Sequence, residues 1–298
     1  MKQFKGTNLI DFMDRFPTNE KCKNHLMEMR WKDGFSCDKC RCKNYWEKKG
    51  NPYVRVCKSC RHINSITANT LFHKVKFPLR KAFFILFEMS TTTKSCSSAV
   101  MARKLGINQK TAWLFMSKTR KAMSSSRAHP LEGICEVDEI LIGGKQEGKR
   151  GRGAEGKKKA AILIEKDNKG GIKRAYGMKV KDFSTKELRK IFDRHISEKA
   201  KINTDLWRSY TPLKGEWDIE QTKSDPKQNF QAIHRFIQQL KGWIRGVFHS
   251  IKDEYLQGYL DEFCFRFNRH LFRETIFDSL VNKMMTHPPC PRAKLILY

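Results

Sequence analysis

Long apolar runs are missing from this 298-residue chain. None approaches the ~18 residues that a membrane-spanning helix needs, and no basic amphipathic helix stands apart as a surface anchor. The stretch "MKQFKGTNLIDFMDRF" lacks the apolar segment of a secretory signal, so a cytoplasmic protein with no membrane partner is expected. Acidic residues are the second scarcity. Sixty Lys and Arg stand against 31 Asp and Glu, a formal charge of +29 spread along the whole chain. Such a field attracts polyanions and binds nucleic acid with strong salt dependence. Apolar residues make up only 39%, low but sufficient for a core in each of two or three units. Internal repeats are absent.

Ten cysteines in a reducing compartment argue for metal or free thiols rather than disulfides. Cys37-x2-Cys40, then 16 residues, then Cys57-x2-Cys60 fits a structural zinc site of two knuckles. Each CxxC turn brings two thiolates to one tetrahedral ion, and four thiolates close the site to water. Such an ion holds together a segment too short to have its own core. Cys42 lies close enough to compete with Cys40.

The texture of the chain separates three domains. Residues 1–75 form an N-terminal segment, with a short helical pattern around Leu9–Phe16, and the zinc ribbon. Residues 76–128 are helical and end in the linker "SSSRAHP". Residues 129–298 alternate and then turn helical: "GICEVDEILIGG", "KKAAILIE" and "IKRAYGMKV" read as strands. "STKELRKIFDRHI" opens with a capping box of Ser184 and Glu187. "AKINTD" and "EWDIEQT" are short strands, and three helices follow over 229–248, 253–270 and 272–287. The fold class is α/β (α+β), a mixed sheet with helices packed on it. Gly143–Lys159 is a basic Gly-rich insertion with seven Lys or Arg, a composition that cannot build a core. Beside a polyanion, its Lys149, Arg150, Arg152 and Lys157 are candidate DNA contacts.

"SSAVMARKLGINQKTAWLFM" has the spacing of a helix-turn-helix. Ala102 and Gly106 are four apart, so a small residue lets the helices pack and glycine supplies the turn. Asn108 can cap the second helix, whose first turn offers Gln109, Lys110 and Thr111 to a groove.

Asp138 and Glu139 sit inside an apolar strand, where a charge is costly without a partner or a metal. Alternation puts Glu136 and Asp138 on one face with Ile134 and Ile140; Val137, Glu139 and Leu141 face the other way. Asp205 ends the strand "KINTD". Two carboxylates at the ends of neighbouring strands can converge on hard divalent cations. Two such ions ~3.5–4 Å apart suit in-line attack on a phosphodiester. Downstream, "NFQAIHRFIQQLKGWIRG" is an amphipathic helix with His234 beside its apolar stripe of Ile233, Phe236, Ile237 and Leu240. A histidine so placed is ordinarily packed and hydrogen-bonded.

The runs "VDEILIGGK", "KRGRGAEGKKKAAILIE", "NTDLWRSY" and "IHRFIQQLKGWIRGVFHSI" resemble bacterial insertion-sequence transposases with an ISXO-type DDE catalytic domain. The zinc cysteines, "NTLFHKVKFPLRKAF" and "LGINQKTAW" match the zinc-ribbon and helix-turn-helix parts of that family. The resemblance spans roughly residues 37–269. It implies a ribonuclease-H-like catalytic domain, structural Zn²⁺, and two catalytic Mg²⁺ or Mn²⁺ ions. It further implies cut-and-join chemistry on double-stranded DNA, at the element's terminal inverted repeats and at a target. Asp138 is then the first catalytic acid and Asp205 the second. Where many relatives have Glu, the matching stretch "FQAIHRF" has His234, as some branches do. Neutral imidazole can ligate a metal, Mn²⁺ tolerating nitrogen better than Mg²⁺, or serve as a base on the attacking water. Lys241 and Arg245 on the same helix join the DNA-contact set, Glu262 is a candidate supporting acid, and Arg266 and Arg269 are expected against DNA or acidic neighbours. A homodimer or larger synaptic assembly and nucleoid association in a bacterial cell are the corresponding expectations. The competing expectations are a DNA-binding regulator that has lost the chemistry and a ribonuclease-H-like nuclease that cuts without joining.

Overall fold

The computed structural model describes residues 8–92, 94–124, 128–143, 156–225 and 228–295. They form two compact units. The first comprises the chain up to Ala122 together with Phe272–Leu295, and the second comprises Met123–Leu271.

In the first unit, Asn8 and Thr18 cap α1 (Leu9–Arg15) and α2 (Asn19–Arg30) by accepting from the backbone N–H groups of Asp11 and Lys21. α2 buries only Cys22 and Leu26, too few to mark it by an apolar stripe in the sequence. A small antiparallel sheet follows, β1 (Tyr45–Lys48), β2 (Asn51–Cys57) and β3 (Ile63–Ser65). Pro78 then opens α3 (Leu79–Thr91), an apolar helix buried nearly all round. α4 (Ser98–Leu105) ends at Gly106, whose φ of 58° is the left-handed conformation glycine adopts without strain. Asn108 Oδ1 accepts from the Lys110 N–H at 2.8 Å and starts α5 (Gln109–Met123).

The second unit is built on a five-stranded sheet in the order β6-β5-β4-β7-β8. β4 (Ile134–Ile142), β5 (Lys158–Lys166) and β6 (Ile172–Lys179) are antiparallel neighbours. β7 (Lys201–Thr204) runs parallel to β4, and β8 (Asp218–Gln221) parallel to β7. Three antiparallel strands extended by two parallel ones form the mixed sheet that the sequence patterns indicate. Period-two alternation sorts its core. Cys135, Val137, Ala161 and Leu163 join α6 (Thr185–His195) on one face. Ile140, Ile142, Ile162 and Ile164 join α7 (Gln231–Val247) and α8 (Leu256–Phe267) on the other. Ser184 accepts from the Glu187 N–H as expected, but the Glu187 carboxylate turns back to the Lys181 N–H instead of closing the box.

The outer edge of β6 is covered by α8 and the residue that ends it. Gln257 accepts from the Lys179 N–H and donates to the Gly177 carbonyl; Asn268 accepts from the Ala175 N–H and donates to its carbonyl. Two side-chain amides thereby stand in for a neighbouring strand and cap an edge open to pairing. Gly177 permits the approach, since a Cβ there would lie 3.2 Å from Leu260 Cβ.

One boundary differs from the expected division. The last helix, α9 (Ile276–Thr286), packs within the first unit although residues 129–298 were expected to form one domain. Its Phe277 ring meets those of Phe12, Phe16 and Phe83 at centroid distances of 5.6, 5.6 and 5.9 Å. Arg15 donates to both oxygens of Asp278 beside them. An amphipathic stripe states that a helix has a partner without stating which one.

Candidate metal centres and DNA-contact residues

The four expected zinc cysteines converge: Cys37, Cys40, Cys57 and Cys60 place their sulfurs within 4.8 Å of one another. Cys37 Sγ lies 3.6 Å from Cys60 Sγ, and Cys40 Sγ 3.5 Å from Cys57 Sγ. The chemistry of the set fits a tetrahedral Zn²⁺. Burial would raise the Cys37 thiol, but N–H groups of Cys40 and Lys39 and the neighbouring thiols bring it down to about 6. Asn64 Nδ2 adds a longer contact at 3.8 Å to the same sulfur, so the sulfur is prepared to carry negative charge. Cys42 stays outside the cluster and bonds the backbone of Asn44.

In the second unit the parallel register of β4 and β7 runs from Ile134↔Lys201 to Val137↔Thr204. The next residue on each strand is an aspartate, so Asp138 and Asp205 stand side by side where β7 ends. Asp205 is held by its own turn: its Oδ1 accepts from the Trp207 N–H at 3.0 Å, and its carbonyl accepts from Gln221 Nε2. Trp207 Nε1 in turn donates to the Phe183 carbonyl, which fixes that turn. His234, one turn into α7, brings Nε2 to 3.7 Å from Asp138 Oδ2, both side chains about a quarter exposed. The three residues singled out in the sequence therefore lie together at one end of the sheet.

Glu139 also belongs to the group, which alternation had assigned to the opposite face. Ligand oxygens of Asp138, Glu139 and Asp205 all lie within 4.8 Å of one another. Beside them is Tyr210, wholly buried on a 3-10 turn over Arg208–Leu213. Burial, then the Glu139 carboxylate, holds its phenol well above the ordinary value, with Asp138 and Asp205 adding to the effect. Hard divalent cations suit this oxygen-rich donor set. Glu262 is fully buried in α8 and does not join the acidic group. Arg266 lies over the Trp243 ring at 5.0 Å and Arg269 over Phe265 at 4.0 Å, so both engage aromatic faces of their own unit.

Among the expected DNA contacts, Gln109 and Lys110 are exposed on the first turn of α5 and Thr111 is half-buried. Arg245 is exposed; Lys157 and Lys241 are half-buried. Burial lowers the Lys241 ammonium, and the Asp138 charge pulls the other way. Lys149, Arg150 and Arg152 lie outside the described residues. No helix among the described residues is long and apolar enough to cross a membrane.

Residues 130–268 match the family model of the ISXO2-like transposase domain, and residues 17–63 match that of the transposase zinc-ribbon domain. A relative, an uncharacterized protein in transposable element ISH50 of Halobacterium salinarum, is 22% identical over 213 residues. The match covers 66% of this chain and 71% of that protein. Among solved structures, a pre-cleavage Mos1 transpososome is similar at 11% identity and a TM-score of 0.25, over 70% of this chain and 79% of the other. The Mos1 transposase paired-end complex with left transposon end is similar at 13% and 0.26, over 69% and 78%.

Proposed function

We propose that this chain, whose residues 130–268 match the ISXO2-like transposase domain and residues 17–63 the transposase zinc ribbon, cuts and joins DNA at the ends of an insertion sequence. The observation that carries the reading is the β4–β7 register, which sets Asp138 beside Asp205 with His234 3.7 Å away.

Asp138 and Asp205 are the carboxylates that would hold Mg²⁺ or Mn²⁺, and His234 supplies a third ligand or the base for the attacking water. Two bound divalent cations would activate the nucleophile and stabilise the leaving oxygen. Hydrolysis forms a bond from the water oxygen to phosphorus and releases a 3′-hydroxyl at the element end. That hydroxyl then attacks a target phosphodiester, forming one P–O bond and breaking another, so strand joining needs no external energy source. The zinc ribbon and the α4–α5 pair recognise the terminal inverted repeats, with Gln109, Lys110 and Thr111 entering a groove. Lys157, Lys241 and Arg245, with Lys149, Arg150 and Arg152 of the basic insertion, contact phosphates, and binding falls steeply with salt. Two ends are cut in one reaction, so at least two copies act together.

The test is incubation with labelled element-end DNA, target DNA and Mg²⁺ or Mn²⁺. The wild-type protein nicks the end and joins it to target. Asp138→Asn and Asp205→Asn retain end binding and lose more than about a hundredfold of the nicking rate. End binding by the wild type without nicking in either metal would overturn the reading in favour of a DNA-binding regulator. Nicking without joining would mark a nuclease.

A further inference from the structure

The two strands that meet at the acidic group have unequal lengths. β4 continues to Ile142, while β7 stops at Thr204 and its pairing with β4 stops at Val137. Past that point no strand among the described residues pairs with the β7-facing edge of β4, and the chain turns away from β7 at Asp205. Glu139 leaves the strand on the face of Val137, a face built from α6, Phe192 and Tyr210. Its carboxylate nevertheless reaches within 4.8 Å of those of Asp138 and Asp205. Glutamate has one methylene more than aspartate, which gives the carboxylate the extra reach such a position needs.

Tyr210 is the second, independent observation. Its side chain is wholly buried, and its hydroxyl makes no hydrogen bond of ordinary geometry. After burial, the Glu139 carboxylate is the group that acts on it most strongly, ahead of Asp138 and Asp205. A phenol is protonated at neutral pH and can donate one hydrogen bond. The ring cannot move away: it is stacked on Phe192 at 6.1 Å, and the Tyr210 N–H donates to the Trp207 carbonyl. Trp207 is the residue whose N–H holds Asp205. A single short turn thus fixes Asp205 directly and aims a buried donor at Glu139.

We propose that Glu139 is a third carboxylate ligand of the catalytic metal centre and that Tyr210 is its positioning residue. The centre then offers three carboxylates and one imidazole, with the oxygen ligands that Mg²⁺ and Mn²⁺ prefer in the majority. This rests on the metal-dependent reading of the site given above. It adds that the site draws on both faces of β4, with Asp138 from one and Glu139 from the other.

Mn²⁺ binding to the zinc-loaded full-length protein, followed by loss of the free-ion electron paramagnetic resonance signal, tests the assignment without relying on activity. Glu139→Gln weakens Mn²⁺ binding by about ten- to a hundredfold. Glu139→Asp, which keeps the charge and shortens the reach, weakens it to a similar degree. Tyr210→Phe weakens Mn²⁺ binding several-fold by the same signal, less than the loss of the Glu139 carboxylate itself. Wild-type Mn²⁺ affinity in both Glu139 variants, alongside loss of binding in Asp205→Asn, overturns the role of Glu139 and leaves the proposed function standing. Unchanged affinity in Asp205→Asn as well removes the metal reading itself. Should Glu139→Gln fail to fold, Glu139→Asp and Tyr210→Phe decide the matter. A Tyr210→Phe variant that binds Mn²⁺ as tightly as wild type assigns Tyr210 a packing role only.

Discussion

His234 sits where two demands meet. The helix that carries it packs through Ile233, Phe236 and Leu240, all essentially inaccessible, while the imidazole itself stays part-exposed beside Asp138. A residue placed there only to fill space would turn inward with its neighbours. His234→Ala is expected to abolish nicking while end binding, measured by gel shift, stays within about twofold, because the removed ring leaves the apolar stripe intact. His234→Glu should retain partial activity and move the metal preference from Mn²⁺ towards Mg²⁺, since it exchanges nitrogen for oxygen. Full activity of the alanine variant would return the histidine to a packing role. The zinc cysteines were legible at this scale because two CxxC turns encode their own geometry. Asp138 and Asp205 were legible because each ends or interrupts an apolar strand. Glu139 was not: period-two alternation assigns it the face opposite Asp138, and only the folded arrangement brings its carboxylate within 4.8 Å of the other two.

At the scale of elements, the five strands and the helices on them follow from alternation, turn chemistry and caps, and most lie where the sequence patterns indicate. The strands over 134–142, 158–166 and 172–179 and the short pair around residues 201 and 218 carry that agreement. What pattern alone omits is how an edge is finished. Gln257 and Asn268 are polar residues at the two ends of a largely buried helix, and nothing in their spacing announces a β-edge as their partner. Asn268→Ala would strip the Ala175 N–H and carbonyl of their partner. Each partly buried group so orphaned costs about 1–3 kcal/mol, so a lower urea midpoint with an unchanged slope is expected. A change in slope would instead indicate that the second unit had lost two-state unfolding.

Across the whole molecule, the first unit is completed by residues that come last. Phe277, Leu280, Val281 and Met284 are buried without measurable exposure, and losing one large core side chain costs about 2–5 kcal/mol. A domain commonly has only about 5–15 kcal/mol in total, so removing α9 is expected to unfold the first unit. A chain ending at Leu271 should therefore lose the cooperative melting and protease resistance of residues 8–122. The second unit, Met123–Leu271, should melt at an unchanged temperature. Intact melting of both units in that truncation would show that α9 is dispensable to the core it joins.

That same arrangement imposes an order in time. During synthesis the segment bearing the acidic group emerges from the ribosome ahead of Phe277 and can begin to fold first, since domains fold as units when their residues are available. The zinc-ribbon and helix-turn-helix unit, made first, has to wait for the helix made afterwards. A prematurely terminated product would therefore hold a folded sheet with its carboxylates in register but an unfinished first unit. The first unit would be complete only after the residues of α9 have been translated.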